Sequence, residues 1–439
     1  MRVSVALIAC QVLVASVFCA SAREAGTITW SAPVEIASGN GRRGPWQQNE
    51  SNFDYVDDAT VALSADGAAA VAWVQQRQKD VFFQVFDRAG KARPRQPVNV
   101  SRSPSVFSWL PRVALSPARA DNVYVLWQEI VFSGGSHGGD IFFARSTDGG
   151  SSFSTPLNLS NSKAGDGKGR IDAERWDNGS LDLALAPDGT VLAAWSSYEG
   201  ALWISRSTDG GATFSKPLHV AGDDRTPARG PALAVGEGSS VYLAWAVGED
   251  TRGDVHFARS EDGGISFSAP LVVAETNGFS DAPKLAVSGD GTLHLVHGEG
   301  SGRNAAQQTV RSTRSRDGGR TFERTREISG RKAGALFPSI SVGAASDVFV
   351  LWEIPVGQRR TRGLGIVRSS DSGNSFSASA VVPGSIDPAA RTNGNQQGFL
   401  MRKLAVNATG SIAVVNSSFT PNEKSRVWLM RGEAQPRQP

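Results

Sequence analysis

The stretch "RSTDGGATFS", residues 206–215, decides the fold because it recurs along the chain. It returns as "RSTDGGSSFS" from Arg145, "RSEDGGISFS" from Arg259, "RSRDGGRTFE" from Arg314 and "RSSDSGNSFS" from Arg368. The common pattern is Ser-x-Asp-x-Gly-x-x-Phe, and its aspartates are Asp148, Asp209, Asp262, Asp317 and Asp371. These aspartates lie 53–61 residues apart, and a period of this length indicates one supersecondary unit per copy.

The segments around each copy alternate as β-strands do. A β-branched stretch that ends in Trp, such as "TVLAAW" at 190–195, precedes it, and a turn such as "APDG" at 186–189 comes before that stretch. In this unit we predict strand a over 181–186, strand b ending at Trp195, strand c over 201–207 and strand d over 214–220. Four-stranded antiparallel units repeated in this way are typical of an all-β fold, the β-propeller.

Seven such units are present, and the last one is short of a strand. They begin near Asp58, Arg112, Ser180, Gly230, Ala282, Pro338 and Arg402. The stretch "ITWSAPVEIA" at 28–37 is similar to "ATFSKPLHVA" at 212–221, which contains a predicted strand d. We therefore predict seven blades closed by the N-terminal strand, so that no sheet edge stays free, with a six-bladed ring as the alternative. The propeller is predicted as one domain over 23–432, followed by a disordered tail over 433–439.

The N-terminus has the pattern of a signal peptide over residues 1–22. Arg2 precedes an apolar run over 3–18, and Ala20-Ser21-Ala22 is a small-x-small cleavage site. This predicts a secreted or periplasmic protein cleaved after Ala22, with no transmembrane segment in the mature chain. Both cysteines, Cys10 and Cys19, lie in the removed segment, so no disulfide is expected.

The charge of the chain argues against a nucleic-acid partner. The 439 residues carry a formal net charge of +3, and no basic tract stands out. The sequence carries no mark of a particular oligomeric state.

The residue types in the repeated phrase suit a tight turn between strands c and d. Its aspartate and serine accept hydrogen bonds from turn N–H groups, and its glycine adopts positive φ without a clash. The phenylalanine then packs between blades. We therefore predict that the five aspartates are structural. Each stands alone, without the clustered oxygen ligands that calcium needs, and we predict neither a metal nor a cofactor.

Ser-x-Asp-x-Gly-x-x-Phe resembles the Asp box, or bacterial neuraminidase repeat, of sialidase-like β-propellers. The resemblance covers roughly residues 26–432 and implies the propeller fold. Asp boxes also occur in other glycanases and in binding or assembly propellers, so the resemblance leaves the activity open. A sialidase would need three arginines for the substrate carboxylate, the first in an Arg-Ile-Pro motif, together with a Tyr–Glu nucleophilic pair and an aspartic acid. No Arg-Ile-Pro occurs in this chain.

If the repeated turns lie on one face, the b–c and d–a loops lie on the other, and a ligand site is expected in that funnel. Loops longer than strand connection requires are more often functional. Candidate ligand-binding residues there are Arg112, Arg229, Arg402, Trp109 and Trp176, with Trp46 and Tyr55 as further stacking surfaces. Candidate catalytic residues are Glu129, Glu299, Glu353 and Tyr198, whereas His297 is expected to pack in place of a tryptophan.

Three functions fit these residues. The first is binding of a glycan or another polar ligand without turnover. The second is a sialidase-like exo-glycoside hydrolase with an atypical arginine motif. The third is a structural or assembly propeller that binds protein.

Overall fold

The chain forms a seven-bladed β-propeller. The computed structural model describes residues 28–103, 105–116, 121–131, 138–162, 165–172, 175–178, 180–248, 253–274, 278–300, 307–330, 334–344, 346–356, 361–388, 390–393 and 401–435. Within these ranges the chain forms 32 strands and no α-helix. The predicted signal peptide over 1–22 lies outside them.

Blades one to three are four-stranded antiparallel sheets whose strands follow chain order from the inside outwards. Blade one contains β3 (Val56–Leu63), β4 (Ala69–Gln75), β5 (Asp80–Phe86) and β6 (Ala92–Asn99). Blade two contains β7 (Ser108–Leu115), β8 (Val123–Glu129), β9 (Asp140–Ser146) and β10 (Leu157–Asn158). A hairpin of β11 (Lys168–Asp172) and β12 (Arg175–Asn178) leads to blade three, which contains β13 (Leu181–Leu185), β14 (Val191–Ser196), β15 (Leu202–Ser207) and β16 (Leu218–Ala221).

Blades four to six repeat this arrangement. Blade four contains β17 (Ala228–Val235), β18 (Val241–Val247), β19 (Asp254–Ser260) and β20 (Leu271–Ala274). Blade five contains β21 (Phe279–Val287), β22 (Leu293–Gly300), β23 (Thr309–Ser315) and β24 (Arg326–Glu327). Blade six contains β25 (Leu336–Val342), β26 (Val348–Pro355), β27 (Thr361–Ser369) and β28 (Ala380–Val381).

Blade seven is built from both ends of the chain. Its inner strands are β30 (Leu404–Val406), β31 (Ser411–Thr420) and β32 (Lys424–Ala434), with β29 (Thr392–Asn393) on the far end of β31. The N-terminal strands β1 (Ile28–Trp30) and β2 (Val34–Gly39) pair antiparallel with β32 on its outer side. The predicted closure and blade count are therefore confirmed, and the six-bladed alternative is excluded.

Strand β32 extends two residues into the stretch that the sequence predicts as a disordered tail. Glu433 pairs with Ser411, and Ala434 pairs with Ile28. These pairings extend the sheet because the N-terminal strand begins opposite Ala434. Residues 436–439 lie outside the described part of the chain.

Apolar packing between adjacent blades forms the core. The tryptophans at the ends of the second strands are almost fully buried: Trp73, Trp127, Trp195, Trp245 and Trp352. The hydrophobic clusters join neighbouring blades, as when Val61 and Trp73 of blade one pack with Val427 and Leu429 of blade seven. Each sheet buries both faces only because another blade stands on either side.

The repeated phrase forms the same hydrogen-bonded turn in each of the five copies. In blade three, Ser207 Oγ donates to Asp209 Oδ1 at 2.7 Å and accepts from the backbone N–H of Gly211 at 2.8 Å. The Asp209 carboxylate also accepts from the N–H of Thr213 at 3.0 Å and from its hydroxyl at 2.6 Å. Asp148, Asp262, Asp317 and Asp371 make the corresponding bonds. The turn aspartates thus bond within their own loops.

The glycine of the turn meets the preceding blade. Gly211 has φ +79°, and a Cβ there would lie 2.7 Å from the ring of Phe143 in blade two. Phe214, which follows in the same phrase, packs edge-on against that ring at a centroid distance of 4.8 Å. Phe153 on Phe83 and Phe322 on Phe257 repeat the contact. The phrase therefore closes a hairpin and fits it to its neighbour.

The arginine that opens the phrase has a role that the sequence did not indicate. Arg145 of blade two donates to the carbonyl of Gly210 in the blade-three turn at 2.9 Å. Arg314 of blade five donates to the carbonyl of Ser372 in the blade-six turn at 2.7 Å. These arginines tie one repeat to the next.

Strand d of blade three is shorter than predicted. The prediction covered 214–220, whereas β16 begins at Leu218. Pro217 has no N–H to donate to the ladder. Upstream, the Ser215 side chain accepts from the N–H of Arg206 at 3.2 Å in place of regular pairing.

We expect Ser207→Ala to destabilise the protein by about 1–3 kcal/mol, because the buried N–H of Gly211 loses its acceptor. Urea denaturation of the purified variant measures this loss. Ser151→Ala removes an exposed serine that bonds only within its turn and should change stability by less than about 0.5 kcal/mol. Equal stability of the two variants would contradict a structural role for the turn.

Deletion of residues 28–39 should cause association or aggregation, because it removes both strands that cover the outer edge of β32. Size-exclusion chromatography with light scattering measures the effect. A truncated protein that stays monomeric and melts at the Tm of the longer chain would show that ring closure does not depend on this segment.

Candidate functional site

The funnel face follows from the antiparallel blades. The five repeated turns join third strands to fourth strands, so they lie on the same face as the turns from first to second strands. The opposite face carries the connections from second to third strands and from each blade to the next. The first strand of every blade enters from that face and lines the central channel.

Five of the seven inner strands have a β-bulge near their funnel end. The pairing register shifts in blades one, two, four, five and six, and a residue with φ between +50° and +60° lies in each shift: Asp58, Leu110, Gly230, Ala282 and Phe337. Bulges re-aim the side chains next to them. Three residues before their ends, the inner strands of blades one to six carry Thr60, Arg112, Asp182, Ala232, Lys284 and Ser339. Arg402, at the start of blade seven, meets this level through Asp182. An alignment of the strands on their last residues would have revealed this layer.

Asp182 is the centre of the charged layer. It is 2% exposed, lies 2.7 Å from Nη2 of Arg402 and 3.8 Å from Nε of Arg112, and accepts from the N–H of Leu233 at 2.8 Å. Burial alone would raise the pKa of Asp182, but the charges of Arg402, Lys284 and Arg112 lower it. Arg402 belongs to blade seven and Asp182 to blade three, so this ion pair spans the channel.

Arg112 is buried along its whole length. Its Nη1 donates to the carbonyls of Leu110 and Pro111 at 3.2 and 3.1 Å. Burial lowers the pKa of Arg112 to about 10. The guanidinium therefore holds the bulged backbone while facing Asp182.

Arg229 takes another partner. It forms an ion pair with Asp281 of blade five and lies 5.2 Å over the ring of Phe279. The structure brings two of the three predicted arginines to one carboxylate and the third to a second carboxylate. An open cluster of three guanidinium groups is not formed, because internal acids bind each of them.

Two adjacent aspartates lie under the blade-one side of the funnel. Asp58 accepts from the N–H of Leu110 at 3.4 Å, and Asp57 accepts from Nε2 of Gln76 at 2.9 Å. Burial and the neighbouring Asp57 raise the pKa of Asp58 well above its usual value. Gln76 in turn accepts from the indole N–H of Trp109 at 2.9 Å. The backbone of this region is thus fixed by buried polar groups.

The three candidate glutamates each have internal partners. Glu353 is 1% exposed and is bound by Nζ of Lys403 and, at 3.2 Å, by Nδ2 of Asn416. Glu129 accepts from Ser103 Oγ at 2.6 Å and from the Trp127 indole at 3.1 Å, and burial raises its pKa. These contacts fix the positions of the ends of the second strands.

Glu299 and His297 form a third pair of this kind. Glu299 accepts from Ser280 Oγ at 2.6 Å and lies 3.9 Å from Nδ1 of His297. His297 is fully buried, its Nδ1 lies 3.0 Å from the carbonyl oxygen of Gly298, and burial lowers its pKa. A neutral imidazole that fills the tryptophan position suits packing.

Tyr198 lies in the b–c connection of blade three and is half-buried. Its backbone N–H bonds to the carbonyl of Gly165 at 2.8 Å, next to Asp166. Burial raises the pKa of Asp166 to about 7. This aspartate is not among the candidate site residues predicted from the sequence. The side chain of Trp176, a predicted stacking residue, lies outside the described part of the structure.

An aromatic platform occupies the rim between blades one and two. Trp46 is 47% exposed, and its ring lies 5.2 Å from Trp109, 5.8 Å from Phe107 and 6.2 Å from Phe53. Trp109 and Tyr55 were predicted as stacking surfaces, but they are 4% and 2% exposed. Trp109 is covered by Trp46 and bound by Gln76, so it supports the exposed ring and does not itself face solvent.

The loop that carries Trp46 is held across two blades. Asn49 accepts from the N–H of Phe107 at 3.0 Å and donates to the carbonyl of Ile130 at 2.9 Å. At the base of the loop, the backbones of Arg42 and Asp54 form an antiparallel β-bridge. Gln47 and Gln48 beside the indole are exposed. The ring is therefore pre-positioned and flanked by amides.

In the described residues, no three His, Cys, Asp or Glu side chains are grouped so as to hold a metal ion. The same part of the chain contains no helix long and apolar enough to cross a membrane.

Comparison by sequence finds no relative, whereas comparison by structure finds the same fold. No family model and no curated protein matches the chain. Polysaccharide lyase Uly1 matches with a TM-score of 0.56 at 10% identity, covering 92% of this chain and 99% of that one. A PL25 ulvan lyase bound to -[GlcA(1-4)Rha3S]- matches with a TM-score of 0.53 at 11% identity, covering 90% and 95%. A protein of unknown function from Dyadobacter fermentans matches with a TM-score of 0.52 at 15% identity, covering 76% and 97%. At identities this low, the structural similarity shows a shared fold and nothing more.

We expect Asp182→Asn to cost about 3–5 kcal/mol of stability, because it leaves the buried charges of Arg112 and Lys284 without their central carboxylate. Denaturant unfolding at pH 7 measures the loss. The exposed Asp224→Asn provides the same chemical change at the surface and should cost less than about 0.5 kcal/mol. If both variants lost the same amount, the charged layer would not be a stabilising element.

Proposed function

We propose that the chain binds a polysaccharide on its funnel face and does not cleave it. The observation that carries this proposal is the exposed indole of Trp46, held on a buried aromatic base at the funnel rim. An amphipathic aromatic face is the surface on which a sugar ring packs through its C–H groups. One half of the Trp46 side chain covers Trp109, and the other half faces solvent, where a ligand can reach it.

The surroundings of Trp46 suit a polyhydroxylated chain. The exposed amides of Gln47 and Gln48 offer donors and acceptors to sugar hydroxyls, and the exposed Arg42 and Arg43 offer charged donors. Asn49 ties the loop to blade two, so little ordering entropy is lost when a ligand arrives. Such a rim favours an extended ligand that continues into the funnel.

Binding without turnover fits the internal use of the candidate catalytic groups. A hydrolytic pair needs one carboxyl to donate a proton and another to attack or to activate water. Glu353 is held by Lys403, and Glu129 and Glu299 each accept a serine hydroxyl. A sialidase-like site would also need guanidinium groups available to a substrate, whereas Arg112, Arg229 and Arg402 bind internal acids.

The structural neighbours support the ligand class. Two of them are polysaccharide lyases, and one was solved with -[GlcA(1-4)Rha3S]- bound. We carry over the ligand class, a polysaccharide, and not their reaction. The signal-peptide pattern over 1–22 agrees with a protein that meets such polymers outside the cytoplasm.

We expect the mature chain to be retained in affinity electrophoresis by at least one member of a panel of neutral, uronate-containing and sulfated polysaccharides. Trp46→Ala should weaken that interaction about tenfold, because truncation of a central tryptophan commonly removes more than about 1 kcal/mol of binding free energy. Ile265→Ala is the matched control, since Ile265 is 59% exposed in a repeated turn on the opposite face.

The same incubations decide between binding and catalysis. New reducing ends or the ultraviolet absorbance of unsaturated uronates would show that the protein is a hydrolase or a lyase. If no polysaccharide is retained, the protein-binding alternative gains support. If the Trp46→Ala variant is retained equally and its Tm is unchanged, the aromatic platform is not part of the polysaccharide-binding site.

A further inference from the structure

The central channel holds a cavity of about 390 Å³ on the side of the repeated turns. Its wall consists of the last residues of the inner strands, which are apolar in most blades, for example Leu63, Leu115, Leu185 and Val287. From the charged layer to the ends of these strands the wall is four residues deep, about 10 Å at the rise of a β-strand. Several wall residues, including Leu115 and Leu185, are only partly buried, so the apolar wall is accessible.

The inner end of this cavity is polar. Asp182, Lys284 and Arg402 line it, and within the described residues the lining does not extend further towards the funnel. Lys284 is 7% exposed, and no described residue forms a hydrogen bond or an ion pair with its ammonium group. A buried amine that lines a cavity without such a partner is unusual, because burial of an unpaired charge costs free energy and buried charges are normally paired.

The charges around Lys284 leave a positive excess. The groups that act on it are Asp182, Arg112, Arg402 and Asp281. Asp182 is shared by both arginines, and Asp281 is the partner of Arg229. Three cationic side chains, Lys284, Arg112 and Arg402, thus face Asp182, while Asp281 is paired with Arg229. Asp58 also acts on Arg112, but burial and Asp57 raise its pKa well above the usual value. The positive surplus lies at the end of the cavity where Lys284 and Arg402 meet it.

We propose that this cavity is a second ligand site, separate from the funnel, that takes a small amphipathic carboxylate. The carboxylate group lies between Lys284 and Arg402, and the alkyl chain extends along the apolar wall towards the face of the repeated turns. Both halves of the ligand are needed: the cationic end selects the anion, and the wall removes the alkyl chain from water.

Protonation of Lys284 couples this site to pH. Burial, together with Arg112 and Arg402, lowers the pKa of Lys284 to about 8, while Asp182 and Asp281 act in the opposite direction. A bound carboxylate favours the charged amine, so binding near pH 8 takes up protons. One unit above the pKa about one amine in ten stays charged, and affinity should fall about tenfold between pH 7 and pH 9.

Isothermal titration calorimetry with sodium butanoate, hexanoate and octanoate tests the proposal on the mature chain. Affinity should rise about fourfold for each added CH₂, the value for burial of about 0.8 kcal/mol per methylene. Lys284→Met should weaken octanoate binding about ten- to a hundredfold, as expected for loss of a charged contact, and should abolish the dependence on pH. Lys216→Met makes the same change at an exposed lysine and should alter neither.

A second variant tests the apolar wall with all charges intact. Ala286 is partly buried and lines the cavity, and Ala286→Leu should weaken octanoate more than butanoate. This variant decides the question if Lys284→Met fails to fold. Absence of saturable octanoate binding, affinity that is independent of chain length, or unchanged binding by either variant would overturn the proposal. Polysaccharide retention on the funnel face should be the same in both variants, which separates failure of this site from failure of the proposed function.

Discussion

The need of every sheet for a neighbour on both faces governs this structure. A four-stranded blade with apolar residues on both sides is stable only in a ring, and a ring is stable only if its last sheet has no open edge. The pairing of β1 and β2 with β32 meets this condition, and Ser31 between the two strands bonds to Arg431, 400 positions away. The repeated turn meets the local condition, because Gly211 leaves room for Phe143 and Phe214 then covers the same ring. The turn is thus as much a contact between blades as a hairpin, which explains why it recurs while the loops on the opposite face differ in length.

The charged layer of the channel follows from the same geometry. Seven inner strands converge on one axis, and a bulge in five of them brings side chains of one level close together. Charges placed there are removed from water and must be balanced, and Asp182 of blade three balances Arg112 of the neighbouring blade two and Arg402 of blade seven. Burial and the neighbouring arginines lower the pKa of Lys284. A lysine can lose its proton, whereas an arginine stays charged, so the excess of positive charge is adjustable at Lys284 alone of the three cations.

The propeller, its seven blades and the N-terminal closure could be predicted because they are periodic. Each copy of the phrase contains all the residues that form its turn between the third and fourth strands. A missing strand is visible as a gap in the repeat. The partners of the funnel residues are not periodic. Arg402 meets Asp182 over a separation of 220 residues, and nothing near either residue marks the other. Trp109 and Tyr55 are residue types that often stack on ligands, but Trp46 covers Trp109 and Phe419 covers Tyr55. Burial of this kind is a property of the assembled rim, so residue type alone predicts the place of a site better than it predicts which ring is exposed.

The two proposed sites are separated by the layer that stabilises the ring. Trp46 stands at the funnel rim between blades one and two, whereas the apolar cavity begins below Asp182 and opens towards the repeated turns. The rings that Trp46 contacts are not part of the cavity lining, and sites without shared partners usually act additively. Changes at Trp46 should therefore leave the cavity intact, and changes in the apolar wall should leave the rim intact. Within the layer, Arg112 is the residue that connects the two sides, since it holds the bulged backbone of the funnel floor while facing the carboxylate that lines the cavity. The buried charges of the layer thus lie between the two proposed sites.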